Sequence, residues 1–150
     1  MSKNECINEI KLNFPSYSTN EGTARAMVSA FCATLNPTVE ELSDIRCAVS
    51  EAVTNCTVHA YKNTIGAVAL TVKLYADRTV KIEVKDKGCG IADVEEALQP
   101  LFTTDPEGER SGMGFTVMES FMDHVSVKSA LGRGTKVTMK RRLSALPVKR

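Results

Sequence analysis

Glu51 and Asn55 stand one helical turn apart in the run Glu51-Ala52-Val53-Thr54-Asn55. On a helix that spacing puts both side chains on one face. The apolar Val49, Ala52 and Val53 around them set the pair at the edge of a buried stripe. A carboxylate and an amide so placed can serve one magnesium-bound phosphate, the amide oxygen as metal ligand and the carboxylate as base or water holder. Magnesium keeps several waters, so one protein ligand plus substrate phosphates suffices. A polar pair facing solvent has the same spacing.

A second group, Asp86-Lys87-Gly88-Cys89-Gly90-Ile91, closes a hydrophobic run. Asp86 continues the alternation of Val80, Ile82 and Val84, so it points toward the core. There a carboxylate needs a partner, because an unpaired buried charge is costly. An adenine amino group is one such partner and a buried backbone amide is another. Gly88 and Gly90 allow close approach of backbone and positive φ.

Two further glycine groups follow. Glu109-Arg110-Ser111-Gly112-Met113-Gly114-Phe115 leads into a helix, whose free N–H groups and positive dipole end suit phosphate. Arg110 can reach a terminal phosphate with its forked donors. A glycine hinge in an ordinary loop reads the same way. Gly132-Arg133-Gly134-Thr135 opens the last strand as a hairpin turn, and Thr135 can add a hydroxyl to a nucleotide pocket. The chain has no G-x-x-x-x-G-K-[ST] and no G-x-G-x-x-G after its strands, which excludes P-loop and Rossmann readings. His59 and His124 are isolated, and no C-x-x-C pair occurs, so no zinc site is expected.

The elements that must position these groups are legible in the hydrophobic periodicity. Ile10, Leu12 and Phe14 alternate in a first strand over Ile7–Phe14. Ala24, Met27, Val28, Phe31 and Leu35 form the stripe of a first helix over Asn20–Leu35, stopped by Pro37. Thr38-Val39-Glu40-Glu41 has the form of a capping box. It opens a second helix with Leu42, Ile45, Val49, Ala52 and Val53 buried, continuing to about His59. Val68–Leu74 and Val80–Val84 predict an antiparallel hairpin. A Gly-, Pro- and Thr-rich stretch from Asp86 to Gly114 carries a short helix near Val94–Leu98. A helix over Gly114–Met122 and a hairpin of Val125–Ser129 with Thr135–Lys140 complete the chain. Residues 1–140 read as one domain, and 141–150 as a basic, frayed tail. Helices and an antiparallel sheet in so short a chain predict a two-layer α/β sandwich.

With 150 residues, 43% hydrophobic and 25% charged, the chain can fill one core, and with 5% aromatic residues and no tryptophan that core is aliphatic. A formal net charge of +1 predicts no long-range attraction to nucleic acid or anionic membrane. No stretch is long and apolar enough for a signal peptide or a bilayer span, so a cytoplasmic location is expected. Of the five cysteines, Cys32, Cys47 and Cys56 read as small hydrophobes on helices.

The ordered set E-x-x-x-N, D-x-G-x-G, G-x-G before a helix and G-x-G-T, spanning Thr38–Lys140, resembles the GHKL ATPase superfamily, which includes gyrase, histidine kinases and MutL. Ser50-Glu51-Ala52-Val53-Thr54-Asn55, Gln99-Pro100-Leu101-Phe102-Thr103-Thr104 and Glu109–Phe115 are similar to the sporulation anti-sigma factor serine kinases, as are Asn20-Glu21 and Ala24-Arg25. That resemblance implies a GHKL (Bergerat) sandwich with a mixed, mostly antiparallel sheet and helices on one face. It implies a homodimer that uses ATP and Mg2+, holds a sporulation sigma factor inactive, and phosphorylates a serine of an anti-anti-sigma protein. Asn55 would hold magnesium and Glu51 would be the catalytic carboxylate. Asp86 would bind the adenine amino group, with Gly88 and Gly90 beside it. Thr104, Arg110, Ser111, Gly112, Met113 and Gly114 would line the nucleotide as part of the lid, and Thr135 would bind it too. Glu21 and Arg25 would contact protein partners. Asp105 stands where a lysine is expected, and Cys56 and Ala60 where Ala and Gly are commoner.

Other readings diverge on concrete points. A sensor histidine kinase needs a phosphoacceptor histidine ahead of Glu51, where this sequence has none. A gyrase-like ATPase needs a second domain. A general-stress anti-sigma kinase shares the boxes and differs in the lid. A module that sequesters its partner with a purely structural ATP would not need Glu51.

Overall fold

A computed structural model of the chain describes residues 4–91, 94 and 114–146. Its elements are β1 (Cys6–Pro15), α1 (Asn20–Cys32), a 3-10 turn (Ala33–Leu35), α2 (Val39–Thr54), a π-helical segment (Asn55–Ala60), β2 (Ala67–Tyr75) and β3 (Thr79–Asp86). After these come α3 (Gly114–Phe121), β4 (His124–Ala130) and β5 (Gly134–Arg142). The short helix expected near Val94–Leu98 falls largely outside the described residues.

The strands form one sheet in the order β1-β2-β3-β5-β4. The expected mostly antiparallel sheet is antiparallel at all four described pairings. Period-2 alternation sets its register: Leu70 faces Val84 and Val72 faces Ile82, and all four are buried. Each such aliphatic side chain removed from water is worth about 1.5–3 kcal/mol. The helices cover that face, with α2 packed between α1 and α3.

Local chemistry fixes where the helices begin and end. The Thr38 hydroxyl accepts from the Glu41 N–H at 3.0 Å, and the Glu41 carboxylate accepts from the Thr38 N–H at 2.9 Å. The capping box is therefore closed on both sides. Asn36 ends the first helical run in the left-handed region at φ 52, and Pro37 prevents its continuation.

Four expectations are corrected. Met27 is exposed and Cys32 takes its place in the buried stripe of α1 beside Ala24 and Val28. On α2, Ala48 is buried while Leu42 is only partly so. Cys47 is exposed. The chain does not fray from Arg141. Strand β5 runs through Arg142, and Leu143 is buried. Arg141 binds Asp44 at 2.9 Å, and the Ser144 N–H donates to Glu41 at 2.7 Å. Arg78 fastens the same region, donating to the carbonyls of Leu35 at 2.6 Å and Ser144 at 2.8 Å. Basic composition suggested a solvated tail, but the arginine and serine found fixed acceptors.

Candidate functional site

The site is built where α2 gives way to its π-helical segment. The last α-helical bond runs from the Asn55 N–H to the Glu51 carbonyl, so the two side chains stack on one face. The next six residues, Asn55–Ala60, are π-helical, where a straight continuation of α2 to His59 was expected. Such segments widen the helix and recur at functional sites.

Gly114, the first residue of α3, lies directly against this pair. A Cβ added there would stand 3.3 Å from Glu51 Oε2 and 3.3 Å from Asn55 Oδ1. Three positions singled out in sequence thus meet at one point, beside the N-terminal end of a helix. Asn55 Nδ2 is buried with no hydrogen-bond partner among the described residues. An orphaned buried donor is rare in a folded chain and calls for an acceptor such as a phosphate oxygen. The amide oxygen and carboxylate beside it are the hard oxygen donors that magnesium prefers, so the residues present fit the metal and a phosphate.

Asp86 closes the other end. It is 5% exposed, as the alternation of β3 requires. Its Oδ1 accepts from the backbone N–H groups of Gly88 at 2.9 Å and Thr135 at 3.2 Å. Among the described residues its Oδ2 accepts only from the Cys56 thiol, at 3.5 Å. Both partners foreseen for this carboxylate are therefore compatible: backbone amides hold one oxygen, and the second keeps acceptor capacity for an amino group. Burial, with the Asp86 charge adding to it, raises the Cys56 thiol well above its ordinary range. That thiol stays protonated and acts as a weak donor.

The glycines are required by close approach. A Cβ on Gly88 would collide with the carbonyl of Ala60, and Gly90 holds φ +75 against the carbonyl of Ala130. Tyr61, unread in sequence, pins the region: its hydroxyl accepts from the Lys87 N–H and donates to the Ala67 carbonyl, both at 2.7 Å. Ser129 was also missed. Its hydroxyl binds the Ile91 N–H at 2.7 Å, the Gly134 carbonyl at 3.0 Å and the Thr135 hydroxyl at 2.7 Å. It clasps the D-x-G-x-G loop to the G-x-G-T turn. Nothing in a serine near a strand end signals this before the hairpin register is known.

Arg25 lies off the site, ion-paired to Glu21 at 3.5 Å and 3.4 Å from the hydroxyl of Ser50. Thr104, Arg110, Ser111, Gly112 and Met113 lie outside the described residues. Among those described, no cluster of three His, Cys, Asp or Glu residues could hold a metal. No described helix is long and apolar enough to cross a membrane.

Residues 14–141 match the model of the histidine kinase-like ATPase domain. The chain is 53% identical over 135 residues to an anti-sigma F factor of Thermoanaerobacter sp. (strain X514), covering 90% of this chain and 94% of the relative. It is 48% identical over 139 residues to that of Clostridium acetobutylicum, covering 93% and 96%. The chain belongs to the anti-sigma F factor family. Its fold is shared with the RsbU and RsbW domains of Rv1364c from Mycobacterium tuberculosis, at a TM-score of 0.68 and 20% identity over 93% of this chain and 33% of that one. It is also shared with the histidine kinase domain of a blue-light activated kinase from Erythrobacter litoralis, at a TM-score of 0.55 and 19% identity over 82% of this chain and 61% of that one. Members of the anti-sigma F factor family are thus matched nearly end to end, whereas the solved structures share the architecture alone.

Proposed function

We propose that this chain is an ATP-dependent protein serine kinase that holds a sporulation sigma factor inactive and phosphorylates an anti-anti-sigma protein. The observation that carries the reading is the meeting of Glu51, Asn55 and Gly114 at one point, with a carboxylate held for adenine at Asp86. Asp86 orients the base through Oδ2. Asn55 holds magnesium, which when bound neutralises charge on the phosphates. Glu51 accepts the proton of the serine hydroxyl or holds it for attack. Gly114 keeps the space between the Glu51–Asn55 pair and the α3 N-terminus open, and that N-terminus presents its N–H groups to phosphate. Arg110, Ser111, Gly112, Met113 and Thr104 complete the lid, and Thr135 adds its hydroxyl to the nucleotide pocket. Glu21 and Arg25 form the partner surface of a homodimer working in the cytoplasm.

The test is incubation with radiolabelled ATP, magnesium and a candidate anti-anti-sigma protein. Transfer to a partner serine without autophosphorylation supports the reading. Tight ATP-dependent binding of the sigma factor with no transfer would replace it with a sequestering module. Transfer only to a stress-type acceptor would reassign the sigma target.

A further inference from the structure

The sheet face turned away from the helices is strongly basic. Alternation from the buried positions places Lys11, Lys73, Lys81, Lys85, Lys128, Lys136, Lys140 and Arg142 there, against the carboxylates of Glu9 and Glu83. The net charge of +1 conceals this segregation, because the compensating acids lie elsewhere.

The register orders the lysines into two rows across the strands. Lys73 stands opposite Lys81, and Lys81 opposite Lys140. Lys85 stands opposite Lys136, and Lys136 opposite Lys128. Like charges directly opposite one another destabilise a sheet, whereas a merely solvated face gains by alternating its signs. Glu9 pairs with Lys11 at 3.6 Å and Glu83 with Lys81 at 3.3 Å. Lys73, Lys85, Lys128, Lys136 and Lys140 have no ion-pair partner among the described residues.

We propose that this face binds the two phosphate backbones of duplex nucleic acid. The rows lie four residues apart on β3 (Lys81 and Lys85) and β5 (Lys140 and Lys136), about 13 Å, comparable with the roughly 12 Å width of the B-DNA major groove. Lysines on either side can then reach phosphates across the groove. The strip between the rows holds Thr71, Glu83, Thr138 and Ser126 in register. No Phe, Tyr or Trp stands on the rows or between them, and only His124 on the first row offers a ring, so a single strand finds little stacking platform there. A second copy docking face to face would meet like charge. Lysine is a flexible point charge without the fork that selects carboxylates bidentately, which favours phosphate over an acidic protein. Binding of this kind is sequence-independent and salt-sensitive.

The experiment is anisotropy of a labelled 20-base-pair duplex of arbitrary sequence, titrated with the full chain between 50 and 200 mM salt. A single strand of equal length and poly-glutamate of equal charge serve as competitors. Dissociation constants of about 10⁻⁴–10⁻⁶ M are expected near physiological salt, tightening as salt is lowered. The triple variant Lys85→Gln, Lys128→Gln, Lys140→Gln, at three exposed positions, should reduce the log–log salt slope by nearly three while ATP binding is retained. Lys128→Gln alone should reduce it by about one, so the reading stays testable should the triple variant fold poorly. Absence of duplex binding at 50 mM salt, or an unchanged slope in the variants, would overturn the proposal. Competition by poly-glutamate as effective as by duplex would also overturn it, and give the face to an acidic protein.

Discussion

The Cys56 thiol sits 3.5 Å from Asp86 Oδ2, while Asp86 Oδ1 is held by the N–H groups of Gly88 and Thr135. The carboxylate therefore has one structural oxygen and one with spare acceptor capacity. Asp86→Asn should separate the two roles. Its amide oxygen can keep both backbone bonds, so the fold survives, while its NH₂ group faces a ligand amino group with the wrong polarity. Losing a charge-assisted bond of about 1.5–3 kcal/mol should weaken ATP about ten- to hundred-fold and relax the preference for ATP over GTP. Equal ATP and GTP affinities in mutant and wild type would make Asp86 purely structural.

Gly114→Ala should trade activity for stability. The added methyl would meet Glu51 Oε2 and Asn55 Oδ1 at 3.3 Å, close enough to displace them by a few tenths of an ångström. Alanine is favoured over glycine in helices, by up to about 1 kcal/mol in the interior. Thermal melting should stay level or rise, while phosphoryl transfer falls at least tenfold through mispositioning. A mutant with full transfer would separate Gly114 from the reacting groups.

Much of this was legible beforehand, and the exceptions have physical causes. Alternation placed β2, β3 and the buried Asp86 correctly because both follow from a period of two. The capping box at Thr38 and Glu41 was readable because it is local. The π-helical turn after Thr54 was not, since its hydrogen-bond pattern leaves no periodic mark over six residues. Met27 was misread because its apolar spacing also suits a surface position, and Cys32 supplied the buried turn. Ser129 and the lysine rows depend on cross-strand register, which only the folded sheet reveals.

Glu41 carries an acid-sensitive part of the stability. Burial opposes its charge, yet the N–H groups of Thr38 and Ser144, and then their hydroxyls, hold its carboxyl below the usual range. A depressed folded pKa gives stability that is complete above the unfolded value of about 4.3 and is lost as pH falls through the folded value. Glu41→Gln should cost about 1 kcal/mol at neutral pH, with the gap to wild type closing as pH falls below the ordinary carboxylate range. Urea midpoints at several pH values would show this. A gap constant with pH would assign the effect to packing.

Arg25→Ala tests the partner surface. The observed contacts, to Glu21 at 3.5 Å and Ser50 at 3.4 Å, belong to a side chain 40% exposed, and such a pair is worth at most about 0.5 kcal/mol. Stability and ATP binding should hardly change. If a partner carboxylate buries the guanidinium, truncation costs about 2 kcal/mol or more, roughly thirtyfold in affinity. Calorimetric titration against the sigma factor and the phosphate acceptor would show it, and unchanged affinities would return Arg25 to the solvated surface.

The most direct measurement is single-turnover transfer from ATP to the acceptor protein by wild type and Glu51→Gln, with nucleotide affinity determined on the same samples. The substitution preserves shape and removes proton acceptance. The expected result is unchanged ATP affinity with transfer slowed by roughly 10² to 10⁴-fold, the range for a lost general base. A mutant that transfers phosphate within a few-fold of wild type would contradict Glu51 as the catalytic carboxylate.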